Sequence, residues 1–386
     1  MNTILPHLPL AAIPAEDEAL RLTVRDIIGK HLGNRSPEKR SRSWLGYDAT
    51  FSRALGREGL LLLTLPAAYG GGGRSNFARF VMVEEMLAAG APVGAHWVGD
   101  RQTGPLILRF GTEEQRQFYL PKMARGDIFF AIGMSEPDAG SDLASVRTRA
   151  TRTDKGWRLN GRKIWTSNAH RSDYICALVR TSGTIEDRQR GLSQLVFSTK
   201  LPGISIRPIN DISGDAHFSE VLFEDVELAH DALIGTEGDG WKQVTAELGY
   251  ERSGPERIYS SMVLADTWLA EVRAAGVDHP VVLTTAGRIA GTLSVLRAMS
   301  LAVAAKLERN ELVDVEASFV KDLGTEFEQA LPGWIREAIE ATPQFTPSAS
   351  LMRSLAYVTR MSPTYSLRGG TRQIMRGIIA RGLGLR

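Results

Sequence analysis

Apolar positions change their spacing twice along the chain. Leu20, Val24, Ile27 and Ile28 recur at the spacing of one helix face. The apolar run 59–65 ends at Pro66 and the glycine cluster 70–73, which predicts a loop. A second helical region runs from about Phe77 to Leu108, interrupted near Gly90 and Pro92. Thr112, followed by Glu114 and Gln115, predicts a helix start with an acidic first turn. From Asp127 to about Leu228 the period falls towards two. Residues 157–159 and 162–164 flank Asn160-Gly161, which predicts a hairpin turn there. Residues 174–179, 192–198, 204–209 and 221–228 read as further strands. After Gly240 the helical period returns and lasts to the end, with breaks predicted at Pro280, Pro332 and Pro347. The order helical, β, helical is not the alternation of a doubly wound sheet.

Length and composition narrow this picture. The 386 residues suit two or three domains. With 43% apolar and 23% charged residues the chain is globular rather than disordered or fibrous. The 46 basic and 44 acidic residues leave a net charge of +2, too little to point to nucleic acid or an anionic membrane. The single cysteine, Cys176, forms no internal disulfide and fits a reducing compartment. Residues 1–13 carry no basic n-region and are broken by prolines. The apolar stretch 298–305, between Arg297 and Lys306, is shorter than the roughly 20 residues a membrane crossing needs. The expectation is a soluble, cytoplasmic protein with neither membrane nor nucleic acid as partner.

Several common chemistries are absent. Ser75 stands where a dinucleotide fingerprint needs its third glycine, and no P-loop occurs. Gly133-Met-Ser135-Glu-Pro137 starts like a nucleophile elbow but lacks the closing glycine. Seven dispersed histidines include no pair at ligand spacing, so no metal is expected. Two segments stand out. Met134-Ser-Glu-Pro-Asp-Ala-Gly-Ser-Asp142 combines Gly140 with the hydroxyls of Ser135 and Ser141. It reads either as a cradle for an anionic group or as a solvated loop. Lys163-Ile-Trp-Thr-Ser-Asn168 places an indole beside three hydrogen-bonding side chains. It reads either as a stacking platform for a flat ring or as a core or edge tryptophan.

Taken in order with Gly369-Gly-Thr371 and Ile378-Ile-Ala-Arg381, these segments resemble the acyl-CoA dehydrogenase family. Leu65-Pro-Ala-Ala-Tyr-Gly-Gly71, Phe110-Gly-Thr-Glu-Glu-Gln115 and Glu237-Gly-Asp-Gly-Trp241 extend the resemblance over nearly the whole chain. It is weakest from about Ser261 to Met361. The resemblance implies an α+β multidomain fold: an N-terminal helical domain (1–126), a middle β-barrel-like domain (127–236) and a C-terminal four-helix bundle (237–386).

It also implies FAD. Met134 and Ser135 would lie along the flavin ring, and Gly140 and Ser141 near its phosphates and the CoA arm. Trp165 would cover one flavin face, with Thr166 and Ser167 at its polar edge. Gly370, Thr371 and Arg273 complete the implied cofactor set, although Arg273 lacks the aromatic partner usual in the family. Arg372 reads equally as a phosphate neutraliser or as a solvated side chain. The reaction implied is removal of two hydrogens from an acyl-CoA thioester, giving a trans-2-enoyl-CoA. Many members carry the proton-abstracting glutamate where this chain has Gly369. A second branch carries it directly before an arginine, as in Glu251-Arg252, so Glu251 is the implied base. Pro255 and Gly254 favour a distorted helix there. Ser141, Tyr250, Glu251, Arg252 and Gly369 form the implied substrate set. An electron-transfer flavoprotein is the implied acceptor and a homotetramer or dimer the implied assembly. Apolar faces at Val295, Met299, Leu301 and Val303 are expected to serve it. A flavin oxidase and a silent acyl-CoA- or flavin-binding subunit are the rival readings.

Overall fold

The computed structural model describes residues 8–385, apart from the side chains of residues 247–251. The chain forms two compact units, one of Tyr47–Arg74 and Val93–Leu248, the other of Met1–Gly46, Ser75–Pro92 and Gly249–Arg386.

The first of these holds a seven-stranded sheet: β1 (Phe130–Gly133), β2 (Arg149–Thr153), β3 (Gly156–Ser167), β4 (Tyr174–Arg180), β5 (Leu192–Ser198), β6 (Ile204–Ile209) and β7 (Phe218–Ala229). Their order is β1-β4-β2-β3-β7-β6, with β5 also paired to β4. One face packs Trp157, Leu159, Ile175, Ala177, Val221 and Phe223 into a core. Phe130, Cys176 and Val196 pack with Leu106, Ile107, Leu120 and Met123 of the helices Gly104–Phe110 and Glu113–Ala124. Covered on both sides, β4 has no alternation to show and is a near-continuous apolar run. Thr112 caps its helix as the sequence suggested, in a reciprocal box with Gln115.

The hairpin expected at Asn160-Gly161 does not form. β3 runs unbroken through both residues, and β2 and β3 turn instead at Asp154-Lys155. Asn160-Gly161 is a bulge, marked by a register shift against β7 between Leu159 and Gly161. Asn160 exchanges two 2.9 Å hydrogen bonds with Asp225, and Gly161 (φ 143°) lies where a Cβ would strike Thr148 at 2.6 Å. The glycine serves a close backbone approach rather than a turn.

The second unit is helical. Asp314–Glu340 packs against Met262–Ala274, Pro280–Glu308 and Ala349–Met361, the long helices of the expected bundle. Pro280 opens its helix at the first position and Pro347 precedes a capping Ser348, but Pro332 breaks nothing. The helix continues through it because Leu331, Ile335 and Ala338 are buried on either side, offsetting the lost hydrogen bond. Glu84 knots the unit together: it accepts from Arg297 (2.6 and 3.0 Å), Arg21 (3.0 Å) and the Tyr259 hydroxyl (2.7 Å). Of the apolar face proposed for assembly, Val295 is exposed, Met299 is half-buried, and Leu301 and Val303 are interior. Leu301 is spent on Phe80 of the same unit, so those two residues offer no outer surface. The stretch 298–305 is part of Pro280–Glu308, whose 29 residues, with an 18-residue window of mean hydropathy 1.3, are by length and composition enough to cross a bilayer. Its buried stripe packs on Asp314–Glu340 and Asn76–Ala89.

Candidate functional site

In the sheet-bearing unit the two unusual segments come together. β1 leads directly into Met134 and Ser135, and the Ser135 carbonyl accepts from the Ile164 amide at 2.9 Å. Glu136 and Ala139 exchange both backbone bonds, 2.9 and 3.1 Å, closing a tight turn over Pro137 and Asp138. That turn leaves Gly140 and Ser141 exposed. A Cβ at Gly140 would meet no atom within 4 Å, so a ligand can approach the backbone there. Arg188 holds Asp142 with both guanidinium nitrogens.

A buried ion pair beneath the loop went unassigned in the sequence. Lys163 is fully buried. Its ammonium donates to Glu136 Oε1 at 2.8 Å and to the Met134 carbonyl at 2.9 Å. Glu136 also accepts from the amides of Arg147 (2.7 Å) and Thr148 (2.9 Å). Burial pushes the Lys163 ammonium down to about 8, against the pull of Glu136. Burial pushes the Glu136 carboxyl up, but Lys163 and the amide donors outweigh it and hold it below its ordinary 4.5. The signal available was a lysine whose neighbour Arg162 points to solvent, hence an inward-facing lysine.

A second register shift of β3 against β7, between Lys163 and Thr166, turns Trp165 outward. Trp165 has φ 58°, is 58% exposed, and meets Phe218 edge-on at 6.0 Å. A left-handed non-glycine residue costs about 1–2 kcal/mol. An exposed indole held at that cost has little packing reason to be there. Thr166 is interior, and its hydroxyl has no hydrogen-bond partner. A flat exposed ring beside an unsatisfied hydroxyl fits a flat, polar heteroaromatic group such as a flavin. Trp165→Ala is expected to weaken FAD affinity at least tenfold, measured by flavin fluorescence titration. It should move the melting temperature of the cofactor-free protein little.

The helix Gly240–Glu251 stops at Glu251, and Gly254 is extended (φ −77°, ψ 172°) before a short turn at Pro255–Arg257. The helix is therefore ended rather than bent. The side chains of Tyr250 and Glu251 lie outside the described residues. Arg252 is 5% exposed, and its Nε donates to the Gly369 carbonyl at 3.1 Å. This bond ties the end of that helix to the left-handed pair Gly369 (φ 65°) and Gly370 (φ 101°). Thr371 then caps the helix Arg372–Gly382. Arg368, just before the glycines, is gripped by Glu328 and the Ser260 hydroxyl and lies over the rings of Trp44 and Tyr365. Arg372 is not simply solvated: it pairs with Asp322 (2.6 Å) and Glu326 (2.8 Å). Arg273 is exposed in the last turn of Met262–Ala274. Among the described residues no group of three acidic, histidine or cysteine side chains is arranged for a metal.

The chain matches the acyl-CoA dehydrogenase N-terminal domain over residues 14–127, the middle domain over 131–226 and the C-terminal domain over 238–384. The chain belongs to the acyl-CoA dehydrogenase family, whose members are FAD-dependent oxidoreductases that bind acyl-CoA. It is 32% identical to acyl-CoA dehydrogenase FadE26 of Mycobacterium tuberculosis over 340 residues, 84% of each chain. Its identity to FadE29 of the same organism is also 32%, over 90% of each. Among solved structures, the Tcur3481-Tcur3483 steroid ACAD superposes with a TM-score of 0.85 at 29% identity, covering 97% of this chain and 98% of that one. The ChsE4-ChsE5 complex of M. tuberculosis gives 0.83 at 29%, covering 97% and 99%. These matches place the chain in the acyl-CoA dehydrogenase fold.

Proposed function

We propose that this protein oxidises an acyl-CoA thioester to its trans-2-enoyl-CoA, with Glu251 removing the α-proton. The observation that carries the reading is the hydrogen bond from Arg252 to the Gly369 carbonyl. It joins the helix end bearing Glu251 to the position that carries the carboxylate in the other branch, and glycine there has no side chain to act. A glutamate screened from water becomes a competent base near neutral pH. FAD, when bound, supplies the acceptor for the hydride that leaves the β-carbon. Ser135, Thr166 and Ser167 offer hydroxyls to its ring and Trp165 a stacking face. Gly140 and Ser141 offer an open, exposed approach to phosphates and the CoA arm.

Electrons then pass to an electron-transfer flavoprotein, and the chain assembles with copies of itself. A pairing with a second, related chain is the alternative for assembly, because the solved ChsE4-ChsE5 relative is a complex of two chains. The purified protein is expected to be yellow, with about one FAD per chain, and its flavin to bleach with acyl-CoA under anaerobic conditions. Protein that stays colourless after reconstitution with excess FAD refutes the reading. Peroxide formed at the full turnover rate moves the assignment to an oxidase.

A further inference from the structure

The strand end that carries Trp165 rests on one buried histidine. β7 lies beside β3 there, with Thr166 opposite Ser219 and Ser167 opposite Phe218. One residue further on, the Asn168 amide donates to the His217 carbonyl at 2.8 Å. Asn168 is itself left-handed (φ 51°) and buried. Phe218, next to His217, is the ring that Trp165 meets edge-on. Residues 217 and 218 therefore hold both ends of the segment 165–168.

The His217 side chain faces two acids. Its Nε2 lies 3.3 Å from Asp215 Oδ2 and 3.8 Å from Asp211 Oδ2. The same acids close the loop before β7. Asp211 Oδ1 accepts from the Ser213 amide (2.8 Å), the Ser213 hydroxyl (2.5 Å) and the Asp215 amide (3.3 Å), and the Asp211 amide donates to the Asp215 carbonyl at 2.9 Å. His217 Nε2 and Asp211 Oδ2 are both buried, and neither completes a hydrogen bond. A histidine set between two carboxylates in this way is weakly held while neutral and charge-paired once it takes a proton. Burial pushes the His217 imidazolium below its ordinary 6.5, and Arg171 adds to this, while Asp215 and Asp211 pull the other way. His170 also faces it. Burial likewise holds His170 low, and its Nδ1 lies 2.9 Å from the Ser219 hydroxyl.

We propose that His217 is a positioning residue for the flavin: by pairing with Asp211 and Asp215 it sets how firmly the segment 165–168 presents Trp165 to the ring. The proposal rests on the reading that gives Trp165 a flavin face to cover, and adds a residue that acts through Trp165 rather than on the flavin itself. A proton on His217 tightens the grip, so flavin binding strengthens as the ring takes one up below neutral pH.

The test titrates the cofactor-free full chain with FAD, by flavin fluorescence, at about pH 7 and about pH 5.5, on either side of the ordinary histidine value. The wild type is expected to bind about threefold more tightly at the lower pH. His217→Leu, which can hold neither acid, is expected to weaken binding about tenfold at neutral pH and to lose the pH response. His217→Gln keeps an N–H donor but takes no proton, so it should bind near the wild-type value at neutral pH and gain nothing on acidification. In a Trp165→Ala background, His217→Leu is expected to change Kd less than about twofold, because the two residues act as one unit. Equal losses from His217→Leu with Trp165 present and absent overturn the proposal, since the histidine then serves the fold alone. A pH response that persists in His217→Gln overturns it as well. If FAD is not bound, or Trp165→Ala binds it as the wild type does, the flavin reading of Trp165 has failed. Amide exchange at residues 165–168 of the cofactor-free protein then decides the grip by itself. Protection lost in His217→Leu and kept in His217→Gln upholds it, and protection equal in all three proteins overturns it.

Discussion

Replacing Lys163 by methionine is expected to destabilise the sheet-bearing unit by about 3–5 kcal/mol, the usual cost of removing one member of a buried ion pair. Lys163 and Glu136 are both interior, and the ammonium is the cation nearest the carboxylate at 2.8 Å. Without it, Glu136 keeps the amides of Arg147 and Thr148 but no ammonium. The Met134 carbonyl also loses its donor. Both losses fall on the loop carrying Ser135, so FAD affinity is expected to fall along with stability. The double variant Lys163→Met with Glu136→Gln is the decisive control. It removes the stranded charge and keeps a side-chain carbonyl for the Thr148 amide. If the pair serves only the fold, the double variant recovers melting temperature and FAD affinity together. If it also positions the Ser135 loop, melting recovers while FAD affinity and the flavin's near-ultraviolet circular dichroism stay perturbed.

The same pair sets a pH window. The folded Glu136 carboxyl titrates below its ordinary 4.5. The folded state therefore binds fewer protons than the unfolded state as pH falls from 4.5 towards the folded pKa. This stabilisation is complete above 4.5 and is lost as pH drops through the folded value. Lys163 acts in the opposite sense at alkaline pH. Its folded value of about 8 lies below its ordinary 10.5. Its ionisation weighs against the fold at neutral pH, and that penalty is relieved between about 8 and 10.5. Melting curves of the wild type are expected to fall at low pH more steeply than those of the double variant.

Much of this molecule is readable from local pattern, and the failures share one cause. Strands β5 and β6 coincide with the sequence expectation because each is a short run with turn residues at both ends. Thr112 and Gln115 announce a capping box within four residues, and the box forms. Asn160-Gly161 misled because a local rule met a tertiary partner: β7 extends alongside, and the pair became a bulge against it. Pro332 misled likewise, since the buried flanks of its helix outweigh one lost hydrogen bond. Arg372 remained ambiguous because its partners, Asp322 and Glu326, lie about fifty residues away in sequence. The segments 134–142 and 163–168 stood out in the sequence, and the sheet-bearing unit brings them together. The ion pair that braces the first segment did not stand out, because Glu136 and Lys163 look like ordinary surface residues until the strand places them inside.

Glu251→Gln is expected to abolish dehydrogenation while leaving FAD and acyl-CoA binding largely intact. Glutamine keeps the size and one carbonyl acceptor but cannot take a proton. A positioned general base contributes about 10²–10⁴-fold, and the loss should lie at the upper end because no side chain exists at Gly369 to substitute. Glu247 is the nearby carboxylate on the same helix, one turn earlier. It would have to act across roughly 5.4 Å of helix rise, beyond direct transfer from the same substrate pose. The variant should therefore bind substrate, shown by a shifted flavin spectrum, and stay oxidised. Bleaching at the wild-type rate would place the base elsewhere. The stronger test adds Gly369→Glu to Glu251→Gln. Arg252 holds the Gly369 carbonyl at 3.1 Å, so a side chain at 369 starts beside the end of the helix that carries Glu251. Gly369 has φ 65°, and a glutamate there carries about 1–2 kcal/mol of backbone strain, so recovery should be partial. A rate regained by even tenfold over Glu251→Gln would show that a carboxylate from either position reaches the same α-proton. No regain, in a double variant that still binds FAD and acyl-CoA, would show that the two positions do not address one carbon.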